Sequence, residues 1–500
     1  MIYFILYTLV FAVLVWLGRK QLIKKAGTLH PKFLLLLFLL KIAAVPSFYW
    51  IYEQRYGGIE NLDTGKFYHD VKVIAAADRS FFWRLILGQQ NDQEGSADYE
   101  QFLKATKNWD NGTVKDFFYN DNRVVIRIHA LLDVFTFDSY LVHALFSCIF
   151  SCIGIWWLFL AFRHVFRDQE INFLILLCLF PSLWFYSGAL LKEGLCLLVM
   201  GAAAKGLSTF TEKRWQGIFW LLPALILSLF LKPYLLLSFF FFSTIYFLLQ
   251  GRFRFRYQVI IFLILLLCAG GAANSVSLHF KSRSLGEAAL QHQKRFEAVS
   301  HGGVFLSDGY HYLQLPADTH SIVRQAGSEK KYFIRPGTSY MYWKPNRSFD
   351  TLYATADITN KKTYELLYYL PPAGSNIQLN KSNPLALVFS ALYHALFYPL
   401  FFPLNGFFLL LASFENLILL FSLMVIIFEF RKKGKGRFFG LIFVSFALAI
   451  SLLTGITAPN SGAIFRYRAP AAVFIPLSAL LFLTRNRPSR SIANTKAINK

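Results

Sequence analysis

Four short stretches of this 500-residue chain hold the side chains best suited to chemistry. In YGGIENLDTGKFYHDVKVIAAADRS, Asp63 and Asp70 stand seven residues apart, two helical turns, and so share a helix face. Gly57 and Gly58 permit a tight turn before them, and 61–77 reads as a helix lying at a membrane interface. A carboxylate held there could act as general base on a hydroxyl, with His69 in support, or could hold a divalent cation. The plainer alternative makes Asp63 an N-cap and Asp70 a solvated face residue. In PSLWFYSGALLKEG, Lys192 and Glu193 sit at an apolar boundary, where ionisable groups are functional or paired. The third stretch, GITAPNSGAIFRYRAP over 455–470, alternates Phe465 and Tyr467 with Arg466 and Arg468 in what reads as a short loop. The fourth is Lys232 in LKPY. Fixed cations of this kind suit a phosphate, and the aromatics suit a prenyl chain or a sugar ring. Anchoring to lipid headgroups is the alternative. Glu415, in SFENLILL, is either a buried hydrogen-bonded acid or a supporting site residue.

These residues are carried by a chain with 55% hydrophobic and only 16% charged residues. Soluble proteins carry about a quarter charged residues, so a soluble enzyme, a disordered scaffold and a disulfide module are all excluded. The fold class expected is an all-α polytopic membrane protein. Apolar runs near 2–18, 33–52, 139–161, 171–187, 190–206, 216–231, 234–250, 257–277, 407–430, 438–456 and 469–484 give about eleven transmembrane helices. The first run lacks a basic start and a cleavage site and reads as a retained span. Another apolar stretch, 384–404, is broken by Pro399 and Pro403 and reads as interfacial or re-entrant. The five cysteines all lie within apolar runs and read as packing residues.

Basic clusters follow alternate spans, among them Arg19 and Lys20, Lys213 and Arg214, and the RKKGKGR run after 430. Placed in the cytoplasm, they put the N-terminus outside and the C-terminus inside, as a multi-pass protein of the cytoplasmic membrane. Two large loops then face outward, and they hold 22 of the 28 acidic residues. The organisation is two spans (1–52), a first outer loop with interfacial helices (53–138), six spans (139–277), a large outer loop with its interfacial segment (278–406), three spans (407–484) and a basic tail (485–500). In the large loop, His292, His301, His311 and His320 match no metal-ligand spacing, and the loop reads as a lid or acceptor-binding segment. No nucleotide-binding motif occurs, and the inner loops are too short for a nucleotide-binding domain. The net charge of +23 reflects contact with anionic membrane lipids; no motif supports nucleic acid as a partner.

This layout resembles the GT-C class of membrane glycosyltransferases, whose first outer loop supplies a catalytic acid. In GGIENLDTGKFYHD, Asp63 is the closest positional match and Asp70 the alternative. PSLWFYSGALLKE, ENLILL and NSGAIFRYRAP are also similar to segments of envelope-polysaccharide membrane proteins. Two departures are plain: an extra N-terminal span puts the loop after span two, and no acid adjoins Asp63. The resemblance implies a GT-C-like enzyme that moves a sugar from a polyprenyl-phosphate carrier to a glycan, lipid or protein acceptor on the outer face, with no cofactor required. Arg466, Arg468 and Lys192, with Lys232, would then hold the carrier phosphate, and Asp63 or Asp70 would deprotonate the acceptor. Two rivals remain. One is a polymerase or ligase of lipid-linked polysaccharide repeats, with less need of an early carboxylate. The other is a transporter of lipid-linked glycans without covalent chemistry.

Overall fold

The computed structural model describes residues 1–26, 29–60, 62–91, 95–109, 122–166, 169–213, 215–249, 285–308, 311–316, 321–325, 331–343, 349–355, 363–370, 377, 379, 383–400, 407–431, 435–458 and 460–483. The run expected to span near 257–277, the cations Arg214, Arg252, Arg254 and Arg256, His320 and the tail from 485 lie outside the described residues. Among the described residues, seven helices are long and apolar enough to cross a membrane: Ile2–Gln21, Pro31–Gln54, Tyr140–Val165, Lys192–Phe210, Leu409–Glu429, Arg437–Thr457 and Ser461–Leu483. This is the architecture of a polytopic membrane protein. The runs expected near 171–187, 216–231 and 234–250 form shorter apolar helices. A 13-residue helix such as Ile218–Phe230 rises about 20 Å, short of a hydrocarbon core of about 30 Å.

The chain divides into two compact units. The first, Met1–His279 with Ala395–Leu452 and Phe465–Lys500, is helical among its described residues. Its elements begin with α1 (Ile2–Ala26), whose Ile2, Leu6, Leu9, Val13 and Leu17 lie exposed, as a lipid-facing surface requires. Next come α2 (Pro31–Ile42) and α3 (Ala44–Tyr56), then α4 (Asp63–Ala75) and α5 (Arg79–Ile86). They are followed by α6 (Arg123–Asp133), α7 (Tyr140–Phe162), α8 (Glu170–Leu179), α9 (Pro181–Tyr186), α10 (Lys192–Lys213), α11 (Ile218–Phe230) and α12 (Pro233–Leu249).

Helices α7 and α10 pack along a seam of small residues. A Cβ on Gly201 would stand 2.2 Å from the Gly154 carbonyl oxygen, and one on Gly194 2.4 Å from that of Ser147. Both pairs recur at seven-residue spacing, so the two backbones approach over two turns with no side chain between them. This seam sets the height of the α10 N-terminus against α7, and with it the height of Lys192 and Glu193.

The second unit, Phe280–His394 with Leu453–Ile464, corrects the all-α expectation. After α13 (Leu285–Ser300), the large loop forms a seven-stranded sheet: β1 (Gly303–Asp308), β2 (His311–Leu315), β3 (Ile322–Arg324), β4 (Lys331–Ile334), β5 (Ser339–Trp343), β6 (Phe349–Tyr353) and β7 (Tyr364–Leu370). The strand order is β3-β4-β7-β1-β2-β5-β6, every neighbouring pair antiparallel. Val304 pairs with Leu315 and Leu306 with Leu313, so alternate residues of β1 and β2 enter one buried core with Ile334, Tyr340 and Tyr364. Gln314 points to the other face, where its amide donates to the Ala298 and Gly302 carbonyls and accepts from Trp343 Nε1. The strands are three to seven residues long, too brief to stand out against the polar segments between them. The apolar helix α14 (Pro384–Leu396) follows and ends before Pro399. The chain closes with α15 (Phe407–Glu429), α16 (Lys435–Thr457), α17 (Ser461–Ala472) and α18 (Phe474–Leu483).

Candidate functional site

Asp63 opens α4, with Leu62 as its N-cap, so the N-cap alternative for Asp63 does not hold. Two contacts fix this first turn. Thr64 Oγ1 shares a 2.7 Å hydrogen bond with the Tyr140 hydroxyl at the start of α7, and Gly65 lies so close to the Ile59 carbonyl that a Cβ there would stand 2.2 Å from the oxygen. Arg466 sits on α17, not in the short loop expected over 455–470, because Asn460 caps a helix that begins at Ser461. Its Nη1 donates to Asp63 Oδ2 at 2.7 Å, and its Nε donates to Glu193 Oε1 at 2.9 Å. Lys232 Nζ donates to the same Glu193 oxygen at 2.8 Å. The structure thus gathers residues from the first, second, third and fourth stretches, up to 403 positions apart, into one cluster.

Asp63, Glu193 and Lys232 are each positioned by a helix end, and Arg466 by the middle of α17. Lys192 and Glu193 begin α10, at the positive end of its dipole. Lys232 sits where Pro233 forces α11 to stop and α12 to start. The Tyr467 ring lies 5.0 Å from the Lys232 ammonium and 5.8 Å from the Arg466 guanidinium. Burial is graded across the cluster: the Glu193 and Lys232 side chains are each 1% exposed, Arg466 is 16% exposed and Asp63 51%. Lys192 is also buried. Desolvation raises the Asp63 carboxyl, but the Arg466 guanidinium outweighs it and holds the group below the usual carboxylate range. Among the described residues Arg466 Nη2 makes no hydrogen bond, so the guanidinium keeps donors to spare.

Four expected site residues have other places. Asp70 is neither on a solvated face nor open to an acceptor: it is fully buried and receives the backbone N–H groups of Lys107 and Asn108, both at 2.6 Å. Burial raises its carboxyl more than these donors lower it. His69 Nδ1 lies 3.3 Å from Asp70 Oδ1 and belongs to the same loop anchor. Arg468 is not a phosphate ligand in this arrangement. It is buried, with Nη2 donating to Glu415 Oε1 at 3.0 Å and to Asn416 Oδ1 at 2.6 Å, and Nη1 donating to the Ala395 carbonyl. Glu415 completes this strut by accepting from the Ser182 N–H at 2.7 Å. Arg466 and Arg468 are two positions apart on a helix and so point to different faces, each finding its own acid.

Sequence reasoning overlooked Asn108, whose side chain donates to the Asp63 carbonyl at 3.3 Å and whose backbone Asp70 holds. It overlooked Asn416 as well, although that residue adjoins Glu415. Among the described residues no group of three or more His, Cys, Asp or Glu could hold a metal ion. Chemically, the cluster is a guanidinium shared by two carboxylates, of which Asp63 is the more exposed. Comparison of the chain with family models, with curated proteins and with solved structures finds no match.

Proposed function

We propose that this chain is a GT-C-like membrane glycosyltransferase that takes a sugar from a polyprenyl-phosphate carrier and passes it to a glycan, lipid or protein acceptor at the outer face of the cytoplasmic membrane. The observation that carries the reading is the single guanidinium of Arg466 shared by Asp63 and Glu193. The carrier phosphate binds Arg466 and displaces Asp63, while Glu193, itself held by Lys232, keeps the guanidinium in place. Released from its ion pair, Asp63 becomes a better base. It accepts the proton of the acceptor hydroxyl as that oxygen attacks the anomeric carbon; the bond from that carbon to the phosphate oxygen breaks, and its electron pair leaves with the carrier phosphate. Arg466 stabilises the charge gained by the leaving group, with Lys192 and Lys232 adding positive potential. The leaving group is already a phosphate, so no nucleotide is consumed.

A mostly apolar groove of about 670 Å³, whose lining includes Pro46, Tyr49, Trp50 and Leu141 beside the polar Glu53 and Gln54, has room for part of a prenyl tail. Its Tyr49 packs against Tyr140, which is bonded to Thr64 beside Asp63. In this reading the N-terminus is outside and the C-terminus inside, and the apolar runs near 171–187, 216–231, 234–250 and 257–277, extended beyond their short helices where needed, join the seven long helices to make about eleven crossings.

The test is mass analysis of lipid-linked glycans in cells deleted for the gene and complemented with wild type, Asp63→Ala or Arg466→Ala. Accumulation of a polyprenyl-phosphoryl sugar in the deletion and in both variants supports the reading. Accumulation of pyrophosphate-linked oligosaccharide, with Asp63→Ala tolerated, would favour a polymerase or ligase instead.

A further inference from the structure

One atom of the cluster is left over. Glu193 Oε1 accepts from both Lys232 and Arg466, yet Glu193 Oε2 is buried and has no hydrogen-bond partner among the described residues. A buried acceptor without a donor is costly, and more so when it carries charge. Both cations converge on one oxygen and leave the other presented for a third donor.

We propose that Glu193 Oε2 receives a hydrogen bond from the ligand itself, and that the site selects a phosphodiester carrying a hydroxyl or amide N–H beside its phosphoryl group. This deepens the glycosyl-transfer reading and rests on it. Arg466 Nη2 is a donor and selects the anion; Glu193 Oε2 is an acceptor and selects the neighbouring donor while repelling a second anion. In a glycosyl phosphate, the substituent on C2 stands next to the carbon that bears the phosphoryl oxygen. A C2 hydroxyl or acetamido N–H meets the requirement, and a 2-deoxy sugar does not. The C2 donor reaches Oε2 as Asp63 gives way and Arg466 turns to the phosphate. A glycerol-bearing phospholipid headgroup shares this chemistry, so the experiment separates the two sources.

The full chain in phosphatidylcholine nanodiscs is titrated calorimetrically with farnesyl phosphate, farnesyl-phosphoryl-glucose and the 2-deoxy analogue of the latter, with phosphatidylglycerol as competitor. The glucose ligand is expected to bind wild type at least about tenfold more tightly than the 2-deoxy ligand. In Glu193→Gln the ratio falls to within about twofold. Glu193→Asp, which keeps the charge but withdraws the carboxylate by one methylene, narrows the ratio as well. The wild-type ratio needs no variant to fold. Equal wild-type binding of the two sugar ligands, with farnesyl phosphate bound, overturns the inference and leaves the functional reading standing. So does a ratio that survives in both Glu193 variants. Failure of farnesyl phosphate to bind overturns the functional reading and the subsite with it. Displacement of the glucose ligand by phosphatidylglycerol at similar concentration supports the shared recognition and identifies the lipid headgroup as its source.

Discussion

Replacing Asp63 by Asn separates a base from a brace. The Asn side chain keeps the size of the carboxyl and an oxygen that can accept from Arg466, so the first turn of α4 retains its Thr64 and Gly65 contacts. What disappears is the charge that competes with an incoming phosphate for the guanidinium. Asp63 is 51% exposed, so its pair with Arg466 is screened and is worth about 1 kcal/mol at most. Removing that competitor strengthens phosphate binding by roughly fivefold at 25 °C. Sugar transfer loses its general base and slows by about 10²–10⁴-fold. Affinity and turnover therefore move in opposite directions. Calorimetric titration with farnesyl phosphate reads the first, and transfer of labelled sugar from a polyprenyl-phosphoryl donor in proteoliposomes reads the second. Were Asp63 only a brace between α4 and α17, the Asn variant would bind phosphate no better and would transfer sugar at the wild-type rate; that pair of results refutes the reasoning.

Three further outcomes follow from the packing. Arg468→Ala leaves Glu415 buried without its cation and lowers stability by about 3–5 kcal/mol, read by unfolding in detergent, whereas the double replacement Arg468→Met with Glu415→Leu recovers most of that loss. Gly201→Ala forces α10 away from the Gly154 carbonyl and destabilises by about 1–3 kcal/mol; an unchanged unfolding midpoint would show that the seam yields. Burial, with the neighbouring His143 second, holds His129 well below its ordinary value, so the unfolded chain binds a proton that the folded one does not. This contribution is intact above about pH 6.5 and is lost as pH falls below it, with a limiting slope of about 1.4 kcal/mol per pH unit. Thermal unfolding between pH 7 and 5 should flatten in His129→Asn.

Hydropathy made the long helices legible because a bilayer sets a length that a run of apolar residues must meet, and α4 was legible as a helix from the glycine turn and the acid spacing. The meeting of Asp63 with Arg466 was foreseeable only as a requirement, since no local pattern connects residues 403 apart. Local spacing left the partners of three residues undetermined for one physical reason: desolvated charges find partners that sequence proximity does not reveal. Asp70 found the backbone of residues 107 and 108, Lys232 found Glu193, and Arg468 found Glu415 on a different helix. The β-sheet was missed because its alternation is confined to strands of three to seven residues, where Val304 and Leu306 become meaningful only opposite Leu315 and Leu313.

The gradient of burial across the cluster decides which ion pair gives way. Glu193 is enclosed, and its carboxylate already serves two cations; pulling Arg466 from it would leave a buried anion with less compensation, a loss of several kcal/mol. Asp63 is half in solvent, so water can take over its hydration as the guanidinium departs, and the loss is about 1 kcal/mol or less. In the proposed mechanism an incoming phosphate therefore exchanges with Asp63 and leaves Glu193 bound. That order matters for the proposed chemistry, because the acid set free is the solvent-exposed one, which an acceptor hydroxyl can reach. A site with the two acids interchanged would bind phosphate less readily and would release its base into the protein interior.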